Sequence, residues 1–258
     1  MTTATPRWSL YRFASPATFY PLAGKLVPWF AAVAAILAAW GLWLGMLRAP
    51  TDATQGDAYR IIFIHVPAAW MSMLLYVVMA FWAAIGWAFN ARLASVVARA
   101  IAPTGAMFTF LALWTGALWG KPTWGTWWVW DARLTSELIL LFLYGGFLAL
   151  VSAIDDPRRA DRAGALLAIV GSVNIPIIYF SVVWWNTLHQ GASVNPMAAP
   201  KMAAIMLQAM LLMTLAFWAY AFAVIFVRAR AIALERDNAA SWAGAAVGRA
   251  PAQTEAVT

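Results

Sequence analysis

His65 and His189 are the only histidines in this 258-residue sequence, and there is no cysteine. His65 lies in Ile61-Ile62-Phe63-Ile64-His65-Val66-Pro67 and His189 in Trp184-Trp185-Asn186-Thr187-Leu188-His189-Gln190-Gly191. Imidazole is a common metal ligand and a usual axial ligand of haem iron. Two imidazoles on one side of a membrane could approach a macrocycle from opposite faces. Each alone is also explained as an interfacial polar residue bonded at a helix end. Without a C-x-x-C-H motif, any haem would be held non-covalently.

Between the histidines runs Leu118-Trp119-Gly120-Lys121-Pro122-Thr123-Trp124-Gly125-Thr126-Trp127-Trp128-Val129-Trp130-Asp131-Ala132-Arg133-Leu134. Trp124, Trp127 and Trp128 stand at i, i+3, i+4, which predicts a short surface helix presenting three indoles on one face. Many of the 17 tryptophans, including Trp29, Trp40, Trp43, Trp87 and Trp218, need only the interfacial aromatic belt as explanation. Five from Trp119 to Trp130 in one connection exceed that need, and indoles offer apolar area with an N–H for a polar edge. Asp131 reads either as a helix N-cap or as part of the site. Arg133, with Arg60 and Lys121 behind it, could pair a carboxylate in a two-pronged hydrogen bond, or serve as an interfacial anchor.

The elements that must position these residues are membrane helices. The chain is 64% apolar and 10% charged, against about 45–50% and 25% in an ordinary soluble domain. Lipid forces backbone groups to pair internally, so long apolar runs become helices. Six such runs appear, near 26–47, 62–89, 101–119, 135–154, 164–185 and 202–227. The expected fold is all-α: a polytopic integral membrane protein with six transmembrane helices in one domain over 1–236. The Ala- and Gly-rich stretch 237–258 reads as a disordered cytoplasmic tail. The first run exceeds a signal-peptide core and is expected to remain as a span.

Lys and Arg mark cytoplasmic loops. Arg7, Arg12, Lys25, Arg92, Arg99, Arg158, Arg159, Arg162, Arg228, Arg230, Arg236 and Arg249 fall on one side; Arg48, Arg60, Lys121, Arg133 and Lys201 fall on the other. Both termini are therefore expected in the cytoplasm, with connections 48–61, 120–134 and 186–201 outside. Four crossings separate His65 from His189, so they share a face whichever way the chain inserts. The net charge of +7 is read as this topology signal, without a nucleic-acid partner. Within the spans, Asn174 and Gln208 are expected to face the bundle and Pro176 to kink the fifth helix. No embedded chain of ionisable residues suggests a proton- or ion-coupled transporter, although Glu137 enters at the outer end of the fourth helix.

The run from Trp124 to Thr135 resembles the tryptophan-rich WWD signature of the haem-handling proteins of cytochrome c biogenesis. With six spans and one external histidine on each side of that signature, all but the tail looks like the haem exporter protein C family, CcmC. Larger synthetase-type relatives carry further spans and histidines that this chain lacks. The resemblance implies a b-type haem at the periplasmic face of the bacterial inner membrane, with His65 and His189 as axial ligands. Trp119, Trp124, Trp127, Trp128 and Trp130 would pack the ring, with Asp131 and Arg133 near its propionates. It further implies delivery to the chaperone CcmE, in partnership with the ABC transporter CcmA and CcmB and the small membrane protein CcmD. The role is holding and transfer, not enzyme catalysis. No G-x-x-x-x-G-K-[ST] loop is present, so ATP dependence would come from another chain. The competing readings are a membrane electron-transfer cytochrome b, which usually places its ligands within the spans, a permease with an aromatic gate, and a purely structural subunit.

Overall fold

The computed structural model describes residues 15–189 and 202–248, and among these it is helical with no strand beyond one isolated bridge, Asp52 to Gly56. The helices are α1 (Pro16–Leu42), α2 (Ile62–Phe89), α3 (Arg92–Trp124), α4 (Ala132–Ala153), α5 (Pro157–Gly171), α6 (Asn174–Trp184), α7 (Ala204–Arg236) and α8 (Ser241–Ala246). A looser π turn over Trp43–Arg48 extends α1, and a 3-10 turn over Asp57–Ile61 leads into α2. Counting α5 and α6 as one crossing, six segments are long and apolar enough to span a membrane. The third covers 33 residues, about 50 Å at 1.5 Å per residue, so it overruns the ~30 Å hydrocarbon core. Its C-terminal turns therefore help build a site at the end of the bundle.

α2 packs along α3 and α1 along α7, with α4 and the α5–α6 pair closing the other flank. Small residues permit these approaches: a methyl added at Gly105 would fall on the Tyr144 ring, and one at Gly171 on the Tyr76 hydroxyl. Those two tyrosines meet edge to face at 5.0 Å in the core. Outward-facing Trp29, Trp40, Trp43, Trp87 and Trp218 are exposed, as belt anchors should be.

The interruption expected from Pro176 is present, and two other expectations need adjustment. The fifth span is not one uniform helix: Pro176 cannot donate to the Ser172 carbonyl, and the chain tightens there into short-range bonds from Ser172 N to Ile169 O (3.2 Å) and Val173 N to Val170 O (3.3 Å). Asn174 does face the bundle, donating to the Ser136 carbonyl at 2.9 Å, but Gln208 is exposed. Residues 237–248, expected to begin a disordered tail, instead turn into α8; Trp242 packs against the core and its Nε1 donates to Asp237 Oδ2 at 3.2 Å. One indole gives this otherwise small-residue segment enough apolar area to dock. Residues 249–258, with Arg7, Arg12 and Lys201, lie outside the described residues.

Candidate functional site

His65 occupies the first turn of α2, where the helix is already buried, and the side chain is only 8% exposed. Its Nδ1 lies 3.1 Å from the Thr115 hydroxyl on α3. A Cβ at Gly116 would meet the imidazole Cε1 at 3.1 Å, so the missing side chain lets α3 press against the ring. Trp119 meets the same ring edge-on at 5.7 Å, and its Nε1 donates to Gln55 Oε1 at 2.7 Å. That bond ties the first external connection to the site. The connection is itself a closed turn: Asp52 Oδ1 accepts from Thr54 Oγ1 (2.7 Å), Gln55 N (2.8 Å) and Thr54 N (2.9 Å), which together hold the Asp52 carboxyl below its usual range.

His189 follows the end of α6 in irregular chain, where Thr187 Oγ1 donates to the His189 carbonyl at 3.3 Å. The two histidines come together: their ring centres are 6.2 Å apart and the rings are tilted by 33°. Trp124 approaches His189 at 6.2 Å from the end of α3.

The tryptophan segment is built differently from the surface helix its spacing suggests. α3 runs through Trp124 and stops at Gly125, whose φ of +78° is the left-handed cap that favours glycine; its N–H returns to the Lys121 carbonyl at 3.1 Å. Beyond it the chain is irregular until Asp131, so Trp124 and Trp128 are not neighbours on one helix. Both nevertheless line the cavity that holds the histidines, from separate pieces of backbone. Trp127 and Trp130 stay 54% and 77% exposed and do not line the site, although Trp130 packs against Trp128 at 5.4 Å.

These walls enclose a cavity of about 560 Å³, within the ~300–1,000 Å³ typical of organic-ligand sites. Its lining includes His65, His189, Trp119, Trp124, Trp128 and Arg133. Arg133 lies in the first turn of α4 and anchors one guanidinium nitrogen on the Ile178 carbonyl at 2.8 Å. Asp131 caps that helix, its Oδ1 accepting from Leu134 N at 2.8 Å, and is outside the lining. Arg60 and Lys121 are committed elsewhere: Arg60 donates to the Gly45 carbonyl at 2.7 Å and pairs with Asp57 at 2.9 Å, and Lys121 donates to the Gly125 carbonyl at 3.1 Å. Of the three basic candidates, Arg133 alone faces the cavity.

Further polar groups belong here, among them Glu137, which the sequence places at the outer end of the fourth span, and Thr123, which it does not single out. Glu137, one turn beyond Arg133, is buried; Ser72 Oγ donates to its Oε1 at 2.7 Å while its Oε2 has no partner. Thr123 Oγ1 and Trp128 Nε1 are likewise buried in the cavity wall without partners. Buried polar atoms are normally satisfied, so three orphans around one cavity point to a ligand with polar edges. A glutamate facing inward from an apolar helix was the available signal for the first.

The donor set fits a metal held in a macrocycle. Among the described residues no group of three or more His, Cys, Asp or Glu side chains could hold a metal ion. His65 and His189 would hold such a group if its remaining ligands came with it. Two metal–nitrogen bonds of about 2.0 Å, with ~1.1 Å from each nitrogen to its ring centre, span roughly 6 Å. The 6.2 Å between the rings agrees with that span.

Sequence comparison bears on the same residues. The family model described as "Heme exporter protein C" matches residues 9–244, a range that holds both histidines and the whole tryptophan segment. The chain belongs to the heme exporter protein C family. Among members of this family, the Heme exporter protein C of Haemophilus influenzae is 45% identical over 236 residues, 92% of this chain and 96% of its own length. That of Escherichia coli K12 is 52% identical over 185 residues, 72% of this chain and 76% of its own. A putative cytochrome c biosynthesis ccmC-like mitochondrial protein of Marchantia polymorpha is 48% identical over 159 residues, 62% of this chain and 67% of its own.

Proposed function

We propose that this chain holds haem b non-covalently at the periplasmic face of a bacterial inner membrane and passes it to the chaperone CcmE during cytochrome c maturation. The observation that carries this reading is the pair of imidazoles 6.2 Å apart across a tryptophan-walled cavity. His65 and His189 are its axial ligands, and Trp119, Trp124 and Trp128 supply the apolar walls. Arg133, Thr123 and Trp128 Nε1 offer donors for the propionates. Two histidine ligands leave iron no open position for oxygen chemistry, which suits cargo held for transfer. The ABC transporter CcmA and CcmB supplies ATP hydrolysis, and CcmD completes the assembly. The excess of Lys and Arg on the opposite connections supports placing this end of the bundle outside the cytoplasm.

Absorption spectroscopy of the purified protein tests the assignment. The wild-type chain should carry low-spin haem with two nitrogen ligands, and His65→Ala with His189→Ala together should abolish that spectrum. An unchanged spectrum in the double variant refutes the ligands. Delivery is read by mixing loaded protein with apo-CcmE and following haem onto the chaperone; no movement of haem would overturn the transfer step.

A further inference from the structure

Haem ligation by a neutral histidine needs one ring nitrogen free of its proton and aimed at the metal, and the other nitrogen's hydrogen bond decides which. The Thr115 hydroxyl has one proton. It lies 2.6 Å from the Leu111 carbonyl one helical turn back, and 3.1 Å from His65 Nδ1. The short contact to a carbonyl, which can only accept, takes that proton. The oxygen is then left as an acceptor toward the imidazole, which favours the hydrogen on Nδ1 and the lone pair on Nε2; the Ala112 carbonyl, one turn before Gly116, is a second hydrogen-bond acceptor for the same ring.

We propose that Thr115 is the positioning residue of the site, fixing His65 as the Nδ1–H tautomer so that Nε2 is permanently available as a metal ligand. This rests on the haem reading above. The fixation is part of a face of α3 and not a lone contact. Thr115, Gly116 and Trp119 follow one helical stripe, and each meets the imidazole: a hydrogen bond at Nδ1, a backbone with no Cβ against Cε1, and an indole edge-on at 5.7 Å. Two of these contacts limit where the ring can lie, and the hydrogen bond sets which nitrogen it offers. Thr115 is itself buried at 6% exposure, so water does not compete for the bond. In an apolar span a threonine hydroxyl satisfied by its own helix would need no side-chain partner on another helix.

The chain has only two histidines, so selective ¹⁵N-histidine labelling gives four ring nitrogens to assign, with His189→Gln identifying which belong to His65. In the haem-free full-length protein His65 should appear as the Nδ1–H tautomer. Thr115→Val should shift it toward Nε2–H or a mixture, and Thr115→Ser should retain Nδ1–H. In the loaded protein, Thr115→Val should speed loss of haem to an apo-globin acceptor roughly 10–100-fold, with Thr115→Ser close to wild type. An Nε2–H tautomer in the wild type overturns the role of Thr115 while leaving haem ligation standing, if His65→Ala still loses haem. A wild-type tautomer and wild-type haem loss in Thr115→Val overturn it as well. If instead His65 is Nδ1–H but His65→Ala holds haem as firmly as wild type, the ligand assignment fails and takes the positioning role with it.

Discussion

The two histidines close one cavity from walls of different construction. His65 stands in the first turn of a buried helix, with its ring met by Thr115, Gly116 and Trp119 of α3. His189 stands beyond the end of α6 in irregular chain, facing His65 and Trp124. The inner wall is regular backbone, which fixes a side chain closely; the outer wall is connecting chain, which can rearrange at lower cost. A carrier must bind its cargo and then surrender it. If the two histidines hold haem as proposed, one ligand on a regular helix and one on a connection would meet both demands, with release expected to begin at His189.

The largest expected effect breaks this asymmetry directly. His65→Ala should leave almost no haem in the purified protein, a loss beyond the roughly 10–100-fold that supporting residues of a metal site contribute. His189→Ala should keep a measurable fraction, now high-spin with one protein ligand. Equal occupancy in the two single variants, measured by pyridine haemochrome, would refute the division into a fixed and a releasing wall.

Arg133 comes next. Charge-assisted hydrogen bonds contribute about 1.5–3 kcal/mol, so Arg133→Leu should weaken haem binding roughly tenfold or more in a fluorescence-quenching titration. Arg133→Lys should recover only part of this, because an ammonium cannot hold both the Ile178 carbonyl and a carboxylate in one plane. A lysine variant equal to wild type would argue against a two-pronged contact. A smaller effect separates the tryptophans. Trp128→Ala removes a cavity wall and its N–H, and should lower affinity several-fold, on the order of 1–2 kcal/mol. Trp127→Ala, at an exposed position outside the cavity, should change occupancy little. Reversed sensitivities would mean that the segment turns its other face inward.

The architecture was legible because lipid imposes a blunt rule: a run of about 20 apolar residues must be a helix. The expected second span ends where α2 does, at Phe89. Crossing parity likewise puts His65 and His189 on one face from the sequence alone, since it depends only on counting spans. The tryptophan segment was misread for a local reason. Spacing of i, i+3, i+4 means one face only while the helix continues, and Gly125 ends it between the first and second indoles. Glu137 stands out as a carboxylate at the outer end of a span but without a role, and Thr115 and Gly116 are not legible as site residues because a hydroxyl and a glycine in apolar helices carry no pattern of their own. They acquire meaning from which helix faces which, and that is set by close approaches such as Gly105 to Tyr144 that sequence spacing does not encode.

The smallest expected effect concerns how the outer wall is held. Asp131 sits between the irregular tryptophan chain and α4, with Oδ1 on Leu134 N at 2.8 Å and its own carbonyl accepting from Thr135 N at 3.0 Å. Arg133 lies in the turn that this cap organises. Losing an aspartate cap typically costs about 1 kcal/mol, whereas asparagine caps nearly as well. Asp131→Ala should therefore lower the melting temperature by a few degrees and weaken haem binding slightly, through a loosened Arg133. Asp131→Asn should restore both if capping is the whole role. Its second oxygen is buried without a partner, which gives the asparagine variant a further meaning. Asparagine keeps the cap and removes the charge, so normal melting with weakened haem binding in Asp131→Asn would assign that charge to the ligand and place Asp131 in the site itself.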